Sequence, residues 1–124
     1  MTGQELLFFS GAPDMLPVYE ALAEALEERY PALEIKVGKT QISFRNRRLF
    51  AMASLPLRRG KGWPRQYLLV SFGLSYQKKS PRVAQAVEAY PNRWTHHVIT
   101  VRPAEIAGEL LAWIDEAYRF AMEK

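Results

Sequence analysis

The chain has no cysteine and only two histidines among its 124 residues. A disulfide framework, a thiol nucleophile and cysteine-based zinc or iron–sulfur sites are therefore excluded. No apolar run approaches the ~20 residues needed to cross a bilayer. The opening stretch MTGQELLFFSGAPDM places no basic residue before its short apolar run, so it does not read as a signal peptide. A cytoplasmic protein without a membrane partner is the expectation. Also missing are the GxSxG elbow, the HExxH pair and any paired-carboxylate signature, and with them the sequence marks of a hydrolytic centre.

The most informative absence concerns acid. After Glu34 there is no Asp or Glu until Glu88, and twelve Lys and Arg residues lie between them. The acids gather towards the two ends instead, in Glu20, Glu24, Glu27 and Glu28 and in Glu105, Glu109, Asp115 and Glu116. Net charge is +4. If the end segments and the middle fold as separate layers, the protein is electrostatically two-sided. Acidic helices neutralising a basic sheet would explain that layout, and so would a face that attracts anions.

What is present is an ordinary globular composition, 48% hydrophobic and 24% charged, in a length that suits a single domain, residues 1–124. Residues 14–30 carry Leu16, Tyr19, Leu22, Ala23, Leu26 and Tyr30 at helical spacing, with Asp14 available as N-cap and Pro31 as terminator. Leu6 to Phe9 are apolar enough to predict a short helix or extended lead-in packed on the core. From Leu33 the period changes to two. Ile35 and Val37 alternate with Lys36, then Ile42 and Phe44 with Ser43 and Arg45, and the change of parity inside Gly38–Gln41 predicts a turn or bulge. Asn46-Arg47 predicts a tight turn in which Asn takes positive φ. Leu49 to Leu55, Tyr67 to Ser75 and Trp94 to Val101 read as strands, whereas the alanines of Arg82 to Tyr90 favour a short helix without a clean period. Pro103 opens a last helix with Ile106, Leu110, Trp113, Ile114, Ala117 and Tyr118 on one face. The fold predicted is α+β and two-layered. A mostly antiparallel sheet of about five strands carries N- and C-terminal helices on one face.

Gly38-Lys39-Thr40 looks like the end of a phosphate loop, but position 33 holds Leu where that motif needs glycine, and a strand pattern follows instead of a helix. In Arg58, Arg59, Lys61, Trp63 and Arg65, four cations surround an indole on a loop, a combination that can hold phosphates and stack a base. A solvated hairpin tip whose Trp63 folds back on the sheet accounts for the same residues. His96 and His97 are neighbours on a strand and point to opposite faces, so no shared metal site is expected.

KTQISF (Lys39–Phe44), NRRLFA (Asn46–Ala51), FGL (Phe72–Leu74), SPR (Ser80–Arg82), YPNRWTHHV (Tyr90–Val98) and the WIDEAY of the final helix (Trp113–Tyr118) together resemble a bacterial domain family of unknown function. Its members are small stand-alone proteins or C-terminal domains, some labelled "predicted transport protein". The resemblance implies no reaction or cofactor, and no cofactor is expected. It draws attention to the polar members of those segments: Lys39, Thr40, Gln41, Arg82, Arg93, His96 and His97. Were they to converge, they would make an anion-selective pocket; otherwise Thr40 and Gln41 cap a bulge and Arg82 pairs with a helical acid. Three functions follow. The first is a non-enzymatic binding module with an anionic ligand, such as nucleic acid, a nucleotide or an acidic group, on the basic sheet or loop surface. The second is a small hydrolase or transferase using His96 or His97 with Arg82 as anion clamp. The third is an accessory scaffold, for instance a homodimer.

Overall fold

The computed structural model describes residues 1–56 and 62–123. Helix α1 (Gly3–Phe8) and α2 (Leu16–Arg29) precede strands β1 (Glu34–Val37), β2 (Ile42–Asn46), β3 (Arg48–Ser54), β4 (Leu68–Leu74), β5 (Val83–Tyr90) and β6 (Arg93–Thr100), and α3 (Gly108–Met122) follows. The strands form one sheet in the order β1-β2-β3-β4-β6-β5, and every neighbouring pair is antiparallel. The architecture is α+β as expected, with six strands among the described residues instead of about five.

The additional strand is β5, where the alanine content had favoured a short helix. Its ladder with β6 shifts register between Val83 and Gln85 and again between Glu88 and Tyr90. Two shifts in eight residues erase the alternation that would betray a strand, and pairing with β6 overrides a weak helical propensity. Other departures are local. Helix α2 begins after a 3-10 turn, Pro13–Met15, so Met15 and not Asp14 is its N-cap. Pro103 likewise opens a 3-10 turn, and α3 starts only at Gly108. In the β2–β3 turn the left-handed residue is Arg47 (φ 62°), not Asn46. Gly38 is not left-handed; it donates its N–H to Gln41 O at 2.8 Å, and a Cβ there would lie 3.1 Å from that oxygen. Close approach is what this position requires. Leu6 and Leu7 are 50% and 73% exposed, so only Phe9 of the apolar lead-in is buried.

One face of the sheet, carrying Ile42, Phe44, Ala51, Ala53, Val70, Phe72 and Val98, packs against Leu22 and Leu26 of α2 and Leu110, Ile114 and Ala117 of α3. Burying each of the larger aliphatic side chains is worth about 1.5–3 kcal/mol. Helix α3 lies on β3 and β4. Tyr30, at the end of α2, stacks on Tyr118 of α3 (centroids 4.2 Å apart) and donates its hydroxyl to Asp115 Oδ1 at 2.9 Å. The two helices are thereby joined over the edge of Phe50.

A buried carboxylate ties α1 to this layer. Glu5 is 4% exposed and accepts the Tyr19 hydroxyl, while its other oxygen accepts the Thr2 N–H at 2.8 Å. Burial pushes the Glu5 pKa up, but the hydrogen bonds from Thr2 and Tyr19 outweigh it and the net shift is downward from 4.5. With the folded pKa below the unfolded one, the stability this group supplies is full above 4.5 and is lost as pH falls through the lowered value. Tyr19→Phe should destabilise the fold by about 1–3 kcal/mol, because the carboxylate loses a buried donor. Urea denaturation across the acid range should show a shallower loss in the variant than in the parent chain.

Candidate anion-binding cleft

The seven polar residues singled out in the sequence do not converge. Lys39, Thr40 and Gln41 form the β1–β2 turn, whereas Arg82 precedes β5 at the opposite edge, between four and five strand spacings or roughly 20 Å away across the sheet. Arg82 donates to Glu105 O at 3.2 Å and lies 3.9 Å from Glu109 Oε1. It pairs with a helical acid. The two histidines face opposite ways. His96 is fully buried against the helices, parallel to Phe72 at 5.3 Å, and its Nε2 accepts the Lys78 N–H at 2.8 Å. The proton is therefore on Nδ1, which has no hydrogen-bond partner among the described residues. His97 is on the other face, with Nδ1 2.7 Å from Ser71 Oγ on β4. No cluster of three or more metal-ligating side chains occurs among the described residues.

Of the loop candidates, Arg58, Arg59 and Lys61 lie outside the described residues. Trp63 packs edge-on against buried Tyr67 with centroids 5.8 Å apart, and Arg65 is exposed.

Arg93 sits elsewhere, at the end of the sheet where β2 turns into β3, β5 turns into β6, and α3 ends. There Arg45, Arg47, Arg48 and Arg93 line one open cleft of about 520 Å³ together with Leu49, Tyr90 and Ala121. Local sequence explains how each side chain arrives. A register shift between Phe44 and Arg45 reorients β2 just before the turn. Asn46 then anchors the turn, its Nδ2 donating to Pro31 O at 3.0 Å and to the Tyr118 hydroxyl at 3.3 Å. Arg47 Nη2 reaches Met122 O at 3.4 Å, and Arg45 Nη2 reaches Arg47 O at 3.3 Å. Across the cleft, Asn92 (φ 65°) closes the β5–β6 turn and presents Arg93. Its guanidinium carbon is 6.0 Å from the Tyr90 ring and 5.9 Å from the Phe120 ring, both within cation–π range. Gly73 leaves room for it, since a Cβ at that position would fall 2.9 Å from Arg93 Nη2.

Among the described residues none of these four guanidiniums is within ion-pairing distance of a carboxylate; the ion pairs present are Lys78–Glu116, Arg82–Glu109 and Arg119–Asp115. Glu34 is the cross-strand neighbour of Arg45 yet makes no such pair. A second depression of about 230 Å³, lined by Lys36, Gly38, Gln41, Ser43, Arg45 and Leu49, adjoins the first and shares two residues with it. On the helical side, by contrast, Glu5, Glu20, Glu24 and Glu27 line a depression of their own. Acids of α1 and α2 thus line one depression and arginines of β2, β3 and β6 another. Arg45, Arg47 and Arg48 had counted in the sequence as charge, turn and motif residues and Tyr90 as the end of a predicted short helix; the signal that could have marked the arginines is their run around a left-handed turn.

A two-layer α+β domain, with terminal helices on one face of an antiparallel sheet, is the class that fold and cleft define. The chain belongs to the family described as a domain of unknown function, DUF5655, whose profile matches residues 7–121. No curated protein and no solved structure shows a significant match to it.

The histidines generate a pH dependence. Burial lowers the pKa of both below 6.5, and His96 adds a smaller repulsion at His97. A base with a lowered folded pKa is protonated more readily in the unfolded chain. The stability it supplies is full above 6.5 and is lost as pH falls from there towards the lowered values. The urea midpoint should drop over this range, and His97→Asn should flatten the drop without abolishing it.

Proposed function

We propose that the chain is a non-enzymatic binding module whose ligand carries phosphate, seated in the cleft of Arg45, Arg47, Arg48 and Arg93. The supporting observation is that four guanidiniums share one open cleft without a carboxylate to neutralise them among the described residues. Guanidinium groups carry their donors in a planar fork that suits bidentate capture of phosphate, and their charge does not titrate near neutral pH. Arg93 is the anchor in this reading, since two rings and the bare backbone of Gly73 restrict where its guanidinium can go. Arg47 and Arg48 are exposed and adapt to the ligand. Tyr90, 53% exposed beside Arg93, offers an aromatic surface to a base, which makes a nucleotide or nucleic acid a fitting source of the phosphate.

Fluorescence anisotropy with labelled single-stranded and duplex oligonucleotides, and competition by a nucleoside triphosphate and by inorganic phosphate, tests this. Binding should weaken steeply with added salt, because bound phosphates release counterions. Arg93→Ala and Arg48→Ala should each weaken it about tenfold or more, the equivalent of one charge-assisted hydrogen bond. Arg29→Ala, an exposed arginine on α2, serves as the control and should change nothing. Gly73→Ala should mimic Arg93→Ala in part by displacing the guanidinium. Competition by inorganic phosphate alone would point to a small anion; oligonucleotide binding that the free nucleotide does not displace would point to a nucleic-acid chain. Equal affinity across all variants would overturn the assignment of the cleft.

A further inference from the structure

The two edges of the sheet differ. β1 is four residues long and alternates Glu34 and Lys36 with half-buried Ile35 and Val37. Short strands with charged side chains are the usual defence of a sheet edge against pairing. β5 is eight residues, VAQAVEAY, with a single charge at Glu88 and no proline, and its two register shifts lie at either end and leave Gln85–Glu88 between them as a regular stretch. Helix α3 lies on β3 and β4, so β5 projects beyond the helical layer and is largely exposed on both of its faces. Apart from their ladder with β6, residues 84–89 make no backbone hydrogen bond to another described residue. An antiparallel edge leaves alternate N–H and C=O groups directed outward and unpaired. Val87 is 44% exposed on this edge.

We propose that β5 is the interface with a second copy of this chain, pairing antiparallel with its counterpart across a twofold axis at Val87. An axis perpendicular to the sheet keeps both helical layers on the same side, so residues on one face must meet residues on that same face. Val87 pairs with Thr95 and lies on the face away from the helices, while Ala86 and Glu88 pair with His96 and Trp94 on the other. With the axis at Val87, Val87 meets Val87 and Glu88 meets Ala86. The only charge on the strand faces Ala86 of the other copy, so no carboxylates stand directly opposite one another. The occupant is a second copy because the strand is self-complementary in this register, and because all existing pairings are antiparallel, so the same geometry continues. The guarded β1 edges then end the sheet on both sides, and the assembly closes as a dimer.

The absence of cysteine makes the register directly testable. In an antiparallel pair, opposed Cα atoms lie about 4.5–5.5 Å apart, within reach of a disulfide. Val87→Cys should therefore cross-link to a covalent dimer under mild oxidation, whereas Lys39→Cys, in the exposed β1–β2 turn at the far edge, should not. Sedimentation of the unaltered chain from micromolar to near-millimolar concentration should show a dimer. Val87→Lys and Gln85→Lys should shift it at least tenfold towards monomer, with unchanged circular dichroism. A monomer at every concentration would overturn the proposal. So would a dimer indifferent to both lysines, with Val87→Cys cross-linking no faster than Lys39→Cys. Arg93→Ala should leave the dimer intact, which separates this interface from the cleft.

Discussion

The position of β6 between β4 and β5 governs the rest of the structure. As the last strand in the chain it enters the sheet one place inside the strand that precedes it, pairing Leu74 with Trp94 and Leu68 with Thr100 on one side and carrying β5 on the other. That insertion brings Arg93 to the same end of the sheet as Arg45–Arg48, although some 45 positions separate them in the sequence. Strand alternation does the remainder. Of two adjacent histidines, one is locked into the core against Phe72 and the other faces away, against Ser71. Neither a shared metal site nor a joint catalytic role is open to a pair held on opposite faces.

A second constraint is coverage. Two long helices are too few to cover six strands; their layer buries one face of β2, β3, β4 and β6, where Phe44, Ala51, Ala53, Val70, Phe72 and Val98 supply the apolar surface, and leaves β5 exposed. Small residues in β3 let α3 approach closely there. The outer strands keep only as much apolar character as their shallow burial can use. Acid accumulates on the outward face of α2, while the strand region between Glu34 and Glu88 stays free of it. The arginine cleft occupies the seam where the end of α3 meets two strand turns.

Much of this was legible in the sequence. The apolar stripe of α2, the change of period at Leu33, the parity slip inside Gly38–Gln41 and the tight turn at Asn46-Arg47 are local signals, and local physics honours them. β5 was not legible because its bulges scramble alternation and its edge position asks for little burial. The cleft was not legible because its two halves meet only through the placement of β6, which no local pattern encodes. Whether Lys39, Arg82 and His96 converge stayed open in the sequence for the same reason: a shared polar character says nothing about which strand lies beside which. Arg93 belonged to that set and does reach a cleft, but in the company of arginines that had looked like plain turn residues.

Tyr90 joins the two proposed surfaces. It closes β5, lines the cleft and carries Arg93 against its ring. With a twofold axis at Val87, and with the register shift after Glu88 absorbing one residue, the Tyr90 of each copy lies two ladder positions from the axis, about 7 Å along the strand. The two clefts then open on the same composite sheet, one on either side of the axis. A ligand with a single phosphate would fill them independently, whereas a polyanion could engage both and gain affinity from the higher effective concentration of the second site. Dimerisation and charge recognition are separable in their residues, yet the β5–β6 turn makes the spacing of the clefts a consequence of the dimer register.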